Sequence, residues 1–309
     1  MTPAKTAVLG TRGSRLALVQ AEACAERLRA SGMEVEIKVI RTTSDYQPET
    51  PLSVIDRRDV FTRQLDDALL AGEIDLAIHS LKDVPTELPS GISLAAITER
   101  HDPSDVLVSE GCHDVDGLPE GAVVATSSLR RRAQLLHRRS DLRIVDIRGN
   151  VDTRVRKMRS GEADALVLAR AGLERLGMGS LAPHTVIPPS VMLPAVGQGS
   201  LAAATLGDHP LRERVREALN HQGSEKAALA ERAMLRTLEG GCRVPVGALG
   251  TVRDGEVRLR GVVASPDGAL LYEGEAEGVD PEEVGRRLAR GLLAQGAALV
   301  LGEIREVRR

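Results

Sequence analysis

Aromatic side chains are almost missing from this chain. There is no tryptophan, and only Phe61, Tyr46 and Tyr272 carry rings. That excludes a stacking platform for single-stranded nucleic acid. It also leaves leucine, valine, isoleucine and alanine to build the core. The three cysteines, Cys24, Cys112 and Cys242, are odd in number and far apart, which excludes a disulfide framework and a zinc-type spacing. No apolar run reaches membrane-spanning length, and the N-terminus lacks a charged-then-apolar signal segment. A cytoplasmic protein with reduced thiols is expected. The net charge of −3 argues against a bulk polyanion partner such as DNA. Lysine is scarce as well, at Lys5, Lys38, Lys82, Lys157 and Lys226 only, so arginine supplies nearly all of the 41 cationic residues.

What is present is an ordinary globular profile. With 309 residues, 42% hydrophobic and 28% charged, the chain has material for two or three domains. Short apolar strands alternate with amphipathic helices: strands at 7–10, 35–41 and 74–78, helices at 15–30 and 61–71. The rhythm restarts after about residue 100, with strands at 123–125, 144–147 and 165–169 and helices at 129–139 and 151–159. Such βαβ alternation predicts largely parallel sheets covered on both faces. Pro188, Pro189 and Pro194 mark a break, after which 201–204 reads as a strand returning to the first sheet. Helical runs follow at about 209–220 and 224–238. The last portion changes character: strands at 246–251, 257–264 and 270–275 are joined at Asp254-Gly255 and Asp267-Gly268, steps that favour antiparallel hairpins. Asp280-Pro281 then opens a helix running to about Val300.

In open α/β sheets, ligands sit beyond the C-terminal ends of the strands. Four segments place polar residues there. Gly10-Thr11-Arg12-Gly13-Ser14 follows the first strand, with Ser14 as the expected N-cap. His79-Ser80-Leu81-Lys82-Asp83-Val84-Pro85 follows the strand at 74–78. Lys82 and Asp83 form either a surface pair worth under about 1 kcal/mol or part of a site in which a carboxylate stabilises a developing cation. Thr126-Ser127-Ser128-Leu129-Arg130-Arg131-Arg132 puts a Ser127 or Ser128 cap before three arginines in a first helical turn. Each cation there opposes the helix dipole by roughly 0.3–1 kcal/mol, a cost that an anionic ligand would reverse. Arg148-Gly149-Asn150-Val151-Asp152-Thr153-Arg154 repeats the design, and Arg175 adds a further candidate. The guanidinium fork matches a carboxylate with two hydrogen bonds, so this many arginines at strand ends point to a ligand rich in carboxylates. Phosphate is the competing reading, but no Walker-type loop is present.

One octapeptide stands apart: Leu238-Glu239-Gly240-Gly241-Cys242-Arg243-Val244-Pro245. Two glycines leave the backbone before the sulfur uncovered, and the neighbouring Arg243 favours a thiolate. The sulfur is either reactive or a small buried hydrophobe on a turn.

Taken together these segments resemble the porphobilinogen deaminase (hydroxymethylbilane synthase) family. The similarity is carried by residues 10–17, 79–85, 126–131, 148–154, 193–199 and 238–245, in the family's order. It implies an α/β fold of two periplasmic-binding-protein-like, doubly wound lobes around a hinged cleft. A C-terminal α+β domain with a small antiparallel sheet completes it. The expected bounds are 1–98 with 195–216 for the first domain, 99–194 for the second and 217–309 for the third. The resemblance further implies a dipyrromethane cofactor attached to Cys242 as a thioether. Lys82, Ser128, Arg130, Arg131, Arg148, Gly149 and Gln198 are implied cofactor contacts, and Arg12, Ser14, Thr126, Ser127, Arg154 and Arg175 implied substrate contacts. Asp83 is the implied catalytic residue, stabilising the cation left when ammonia departs. The implied reaction joins four porphobilinogen units and releases hydroxymethylbilane for tetrapyrrole synthesis, without metal. Partners are then the small-molecule substrate and its linear oligopyrroles, with no nucleic acid or membrane, and a monomer is expected. The chain departs from the family in Asp56-Arg57-Arg58-Asp59-Val60-Phe61, which lacks the usual glycine and lysine. A solute receptor or sensor domain on the same two lobes is the rival, and leaves Gly240-Gly241-Cys242 unexplained.

Overall fold

The computed structural model describes residues 6–40, 62–111, 114–179, 183–238 and 244–306. Cys242, Cys112, Tyr46 and the 56–61 segment lie outside the described residues.

The chain begins with β1 (Ala7–Arg12), α1 (Arg15–Ala30), β2 (Val35–Ile40), α2 (Arg63–Leu70), β3 (Leu76–Ser80) and β4 (Ile92–Ile97). A second series follows: β5 (Asp105–Val108), β6 (Val123–Ala125), α3 (Leu129–Arg138), β7 (Arg143–Val145), α4 (Val151–Lys157), β8 (Ala165–Ala169), α5 (Arg170–Arg175) and β9 (His184–Ile187). Next come β10 (Leu201–Leu206), α6 (Arg212–Leu219) and α7 (Gln222–Thr237). The last part holds β11 (Val246–Arg253), β12 (Glu256–Ala264), β13 (Leu271–Gly278), α8 (Pro281–Leu292) and α9 (Ala298–Glu306).

Two compact units result, residues 1–101 with 200–225, and residues 102–199 with 226–309. The first unit carries a sheet of order β2-β1-β3-β10-β4. Strand β1 runs parallel to β2 and β3, while β10 is antiparallel to β3 and β4. The expected return of the 201–204 strand to this sheet is therefore observed. Alternation in β3 explains the two covered faces. Leu76 and Ile78 pack with Cys24, Ala25 and Leu28 of α1 and Val215 of α6, while Ala77 packs with Leu65 and Leu69 of α2.

The second unit repeats that plan, with order β7-β6-β8-β5-β9, β6 parallel to β7 and β8, and β5 antiparallel to β8 and β9. Leu107, Val124 and Val167 pack beneath Leu135 of α3, and Leu166 and Leu168 are buried on the other face. The same unit contains the antiparallel sheet β11-β12-β13. Its inner face, with Ala248, Leu259 and Val263, is covered by Met234 of α7 and Leu288 and Leu292 of α8.

Local signals account for several element ends. Asp254 and Gly255 both take positive φ, 52° and 85°, in a two-residue hairpin between β11 and β12, the geometry an Asp-Gly step favours. Asp280 caps α8 by accepting from the amides of Glu282 and Glu283 at 2.9 and 3.2 Å. The final helix does not run unbroken through Val300. It stops at Gly296, whose φ of 123° is outside the helical range, and resumes at Ala298. Strands β4, β5 and β9 are absent from the sequence reading; β5 and β9 are only four residues long, too short for alternation to stand out.

Candidate active site

In the first unit, β1 and β3 are parallel neighbours, with Leu9 opposite Leu76 and Gly10 opposite Ala77. Their C-terminal ends therefore leave the sheet on the same edge. Arg12 ends β1, and Ser14 caps α1, its Oγ accepting from the Ala17 amide at 3.3 Å. After β3 the chain makes a short 3₁₀ turn over Leu81–Asp83. Leu81 and Val84 are buried at 1% and 5% exposure, while Lys82 and Asp83 between them stay half-buried. Two apolar side chains thus anchor the turn and leave the charged pair outward. The Leu81 amide is held by the Ser200 carbonyl at 3.0 Å, and Gln20 of α1 hydrogen-bonds Ser80 Oγ at 3.0 Å.

His79 does not join this outward group. It is buried in β3, and burial pushes its imidazole down to about 4, with Asp83 opposing that shift and Arg12 adding to it. The folded state keeps it neutral where the unfolded chain, with an ordinary value near 6.5, takes up a proton. Stability is therefore expected to fall as pH drops from about 6.5 to about 4. Asp66, pushed up to about 6 by burial, acts in the opposite direction over the same window. Urea midpoints of wild type and His79→Gln across that range isolate the histidine: the variant should lose less stability on acidification. Parallel pH profiles would contradict the assignment.

In the second unit, the ends of β6, β7 and β8 lie side by side. Ser127 Oγ donates to the Ile147 carbonyl at 2.7 Å and accepts from the Ile147 amide at 3.1 Å. This ties the Thr126–Ser128 loop to the Arg148–Asn150 loop. Ser128 is the cap of α3, with Oγ 3.5 Å from the Arg131 amide, and Thr126 Oγ1 accepts from the Ser128 amide at 3.2 Å. Gly149 has φ of 108°, and a Cβ there would sit 2.7 Å from Thr153 Cγ2, so the turn suits only glycine. Arg154 Nε donates to the Gly149 carbonyl at 2.7 Å, and Arg175 Nη2 to the Gly199 carbonyl at 2.7 Å. Ser127, Ser128, Arg148, Arg154 and Arg175 are half-buried, whereas Thr126, Arg130, Arg131 and Gln198 are buried.

The arginines that begin α3 have an internal counter-ion. Asp105, fully buried at the start of β5, lies 2.8 Å from Nη2 of Arg130 and 2.8 Å from Nη2 of Arg131. Burial alone would raise its carboxyl. The guanidiniums of Arg130 and Arg131, with hydrogen bonds from Arg131 and Gln198, outweigh burial and hold it well below the usual carboxylate range. The cost of placing Arg130 and Arg131 at this helix start, expected to be offset by an anionic ligand, is thus offset by a carboxylate of the same chain. Arg132, by contrast, is exposed. Sequence reasoning missed Asp105. Its signal is an acidic residue opening the apolar run Asp105-Val106-Leu107-Val108, a position tolerable only when paired. Glu231 was missed as well. It is fully buried on α7 and accepts from the amides of Gly197 and Gly250, both at 2.7 Å.

Among the described residues no cluster of His, Cys, Asp and Glu suits a metal ion, and no helix is long and apolar enough to cross a membrane.

Residues 7–214 match the family model described as "Porphobilinogen deaminase, dipyromethane cofactor binding domain", and residues 226–294 match "Porphobilinogen deaminase, C-terminal domain". A relative from Rubrobacter xylanophilus named porphobilinogen deaminase is 67% identical over 301 residues, covering 97% of this chain and 98% of its own. One of the same name from Syntrophomonas wolfei is 46% identical over 302 residues, covering 96% and 98%. Among solved structures, the Bordetella pertussis BvgS periplasmic VFT2 domain is 17% identical with a TM-score of 0.42, covering 68% of this chain and 86% of that one. The methionine binding protein MetQ is 13% identical with a TM-score of 0.43, covering 69% and 89%. Identity at the level of the Rubrobacter relative, sustained over nearly the whole of both chains, leaves a single assignment: this chain belongs to the porphobilinogen deaminase family.

Proposed function

We propose that this enzyme joins four porphobilinogen units head-to-tail with loss of ammonia, on a dipyrromethane primer held at Cys242, and releases hydroxymethylbilane by hydrolysis. The donor set suits such ligands. Every pyrrole ring carries an acetate and a propionate, and the second unit ties the loop bearing the Ser127 and Ser128 hydroxyls to the loop bearing Arg148, whose Gly149 carbonyl accepts from Arg154 of α4, while Arg175 ends α5. Charge-assisted bonds of this type are roughly twice as strong as neutral ones. Gly149 lets the backbone between Arg148 and Asn150 turn tightly. When bound, dipyrromethane supplies a nucleophilic pyrrole terminus and a covalent anchor.

The protein's own part is binding, orientation and charge. Arg12 and Ser14 contact substrate, and Lys82 meets carboxylates of the bound chain. Departure of ammonia from porphobilinogen leaves a cation on the incoming ring, which the Asp83 carboxylate stabilises without forming a covalent adduct. Asp83 also receives pyrrole N–H protons. Cys242 bears the thioether. Thr126, Arg130, Arg131 and Gln198 complete the binding surface from behind. We read the chain as three domains, 1–98 with 195–216, 99–194 and 217–309, which its three separate sheets support, and as a cytoplasmic monomer.

The observation that carries the catalytic assignment is the Leu81–Asp83 turn, whose buried flanks hold a lysine and a carboxylate outward at a strand end. Purified protein mixed with porphobilinogen tests the reaction. One ammonia should appear per porphobilinogen consumed, with a linear tetrapyrrole as product. Binding of oligopyrroles without ammonia release would overturn the reading.

A further inference from the structure

The buried carboxylate of Asp105 joins three residues assigned above to ligand binding. Its Oδ1 accepts from Nε and Nη2 of Arg131 at 3.2 and 2.8 Å and from Nε2 of Gln198 at 2.9 Å. Its Oδ2 lies 2.8 Å from Nη2 of Arg130. The far side of each partner is held too. Arg131 Nη1 donates to the Val167 carbonyl at 2.9 Å, Arg130 Nη1 to the Leu193 carbonyl at 2.6 Å, and Gln198 Nε2 also to the Pro103 carbonyl at 2.6 Å. The turn bearing Gln198 is held in addition by Glu231, through the Gly197 amide. Strand β5, the first turn of α3 and the 197–199 turn thus meet on one carboxylate.

Two consequences follow from charge and burial. Arg130 and Arg131 are 5% and 7% exposed, so neither guanidinium is orientated by solvent; their direction is set by their protein partners. Two cations on one anion leave a single positive charge in excess, at the start of the helix that Ser128 caps. Without Asp105, two adjacent buried cations would repel each other and swing out or draw in water.

We infer that Asp105 is a positioning residue for the family's reaction: by gathering Arg130, Arg131 and Gln198 on one carboxylate, it sets the surface that receives the pyrrole carboxylates. This rests on the function proposed above. The experiment compares wild type with Asp105→Asn and Asp105→Glu, reading the fraction of protein carrying dipyrromethane by intact mass, together with KM and kcat for porphobilinogen. Asp105→Asn should show loading reduced at least about fivefold and KM raised about tenfold in the loaded fraction, with kcat changed less than about threefold. Asp105→Glu, which keeps the charge, should recover at least about half of the loading. A merely structural role would not separate KM from kcat in this way. Should Asp105→Asn fail to fold, Asp105→Glu carries the test by itself: its longer side chain displaces the carboxylate while keeping the charge, so loading should fall below wild type and KM should rise at least about twofold with kcat nearly unchanged. Wild-type loading and KM in Asp105→Asn, or in Asp105→Glu where the asparagine variant does not fold, would overturn the inference. A wild-type protein without dipyrromethane would instead overturn the proposed function, so the two failures are distinguishable.

Discussion

Replacing Cys242 with serine is expected to give a folded protein that lacks the dipyrrole mass carried by wild type and turns over at least about 10³-fold more slowly. The effect is large because the primer needs a covalent anchor, and a thioether forms through a thiolate that a serine hydroxyl cannot imitate at neutral pH. Gly240 and Gly241 precede the sulfur and Arg243 follows it, so neither residue before the cysteine carries a side chain that a dipyrrole would have to displace. Cys24 offers no substitute, since it is 2% exposed and packed among Leu28, Leu76 and Ile78. Intact mass of the two proteins, before and after porphobilinogen, checks the prediction. Wild type of unmodified mass with full activity would contradict it.

Asp83→Ala should keep the fold and lose turnover by about 10²–10³-fold, the usual scale for removing one charge-stabilising group from a reaction centre. The fold should survive because Leu81 and Val84, not Asp83, are buried in the turn, and the melting temperature should move by no more than about 2 °C. Asp83→Asn separates charge from shape. It keeps the hydrogen-bonding outline but not the negative charge, so it should fall nearly as far as alanine if cation stabilisation is the role. Near-normal turnover in either variant would remove Asp83 from the mechanism. Loss of activity together with loss of the folded signal would reassign it to the turn.

Much of the scaffold was legible because its signals are local. The alternation of strand and helix, the Ser14 and Asp280 caps and the Asp254-Gly255 hairpin each depend on residues within a few positions of one another, and all appear where the sequence places them. The positions of Arg12, Lys82, Asp83, Ser127, Ser128 and Arg148 at or just after strand ends, and of Arg154 in the helix that follows, were legible for the same reason. The state of the α3 arginines was not. Arg130 and Arg131 read as ligand donors beside Arg132, yet they are buried on Asp105 while Arg132 is exposed. Nothing within their helix encodes that difference. Likewise His79 belongs to a polar motif, but it is buried because β3 is covered on both faces.

The amino-acid order by itself thus determined which donors this protein owns, which elements carry them, and the family resemblance. Tertiary structure decided which of those donors remain half-exposed and which are held inside by partners of the same chain. The physical reason is separation: Asp105 meets Arg131 and Gln198, 26 and 93 residues away, only because β5 lies antiparallel beside β8 and the 197–199 turn folds back over it. A buried charge must find an opposite one, and no local periodicity names a partner that distant.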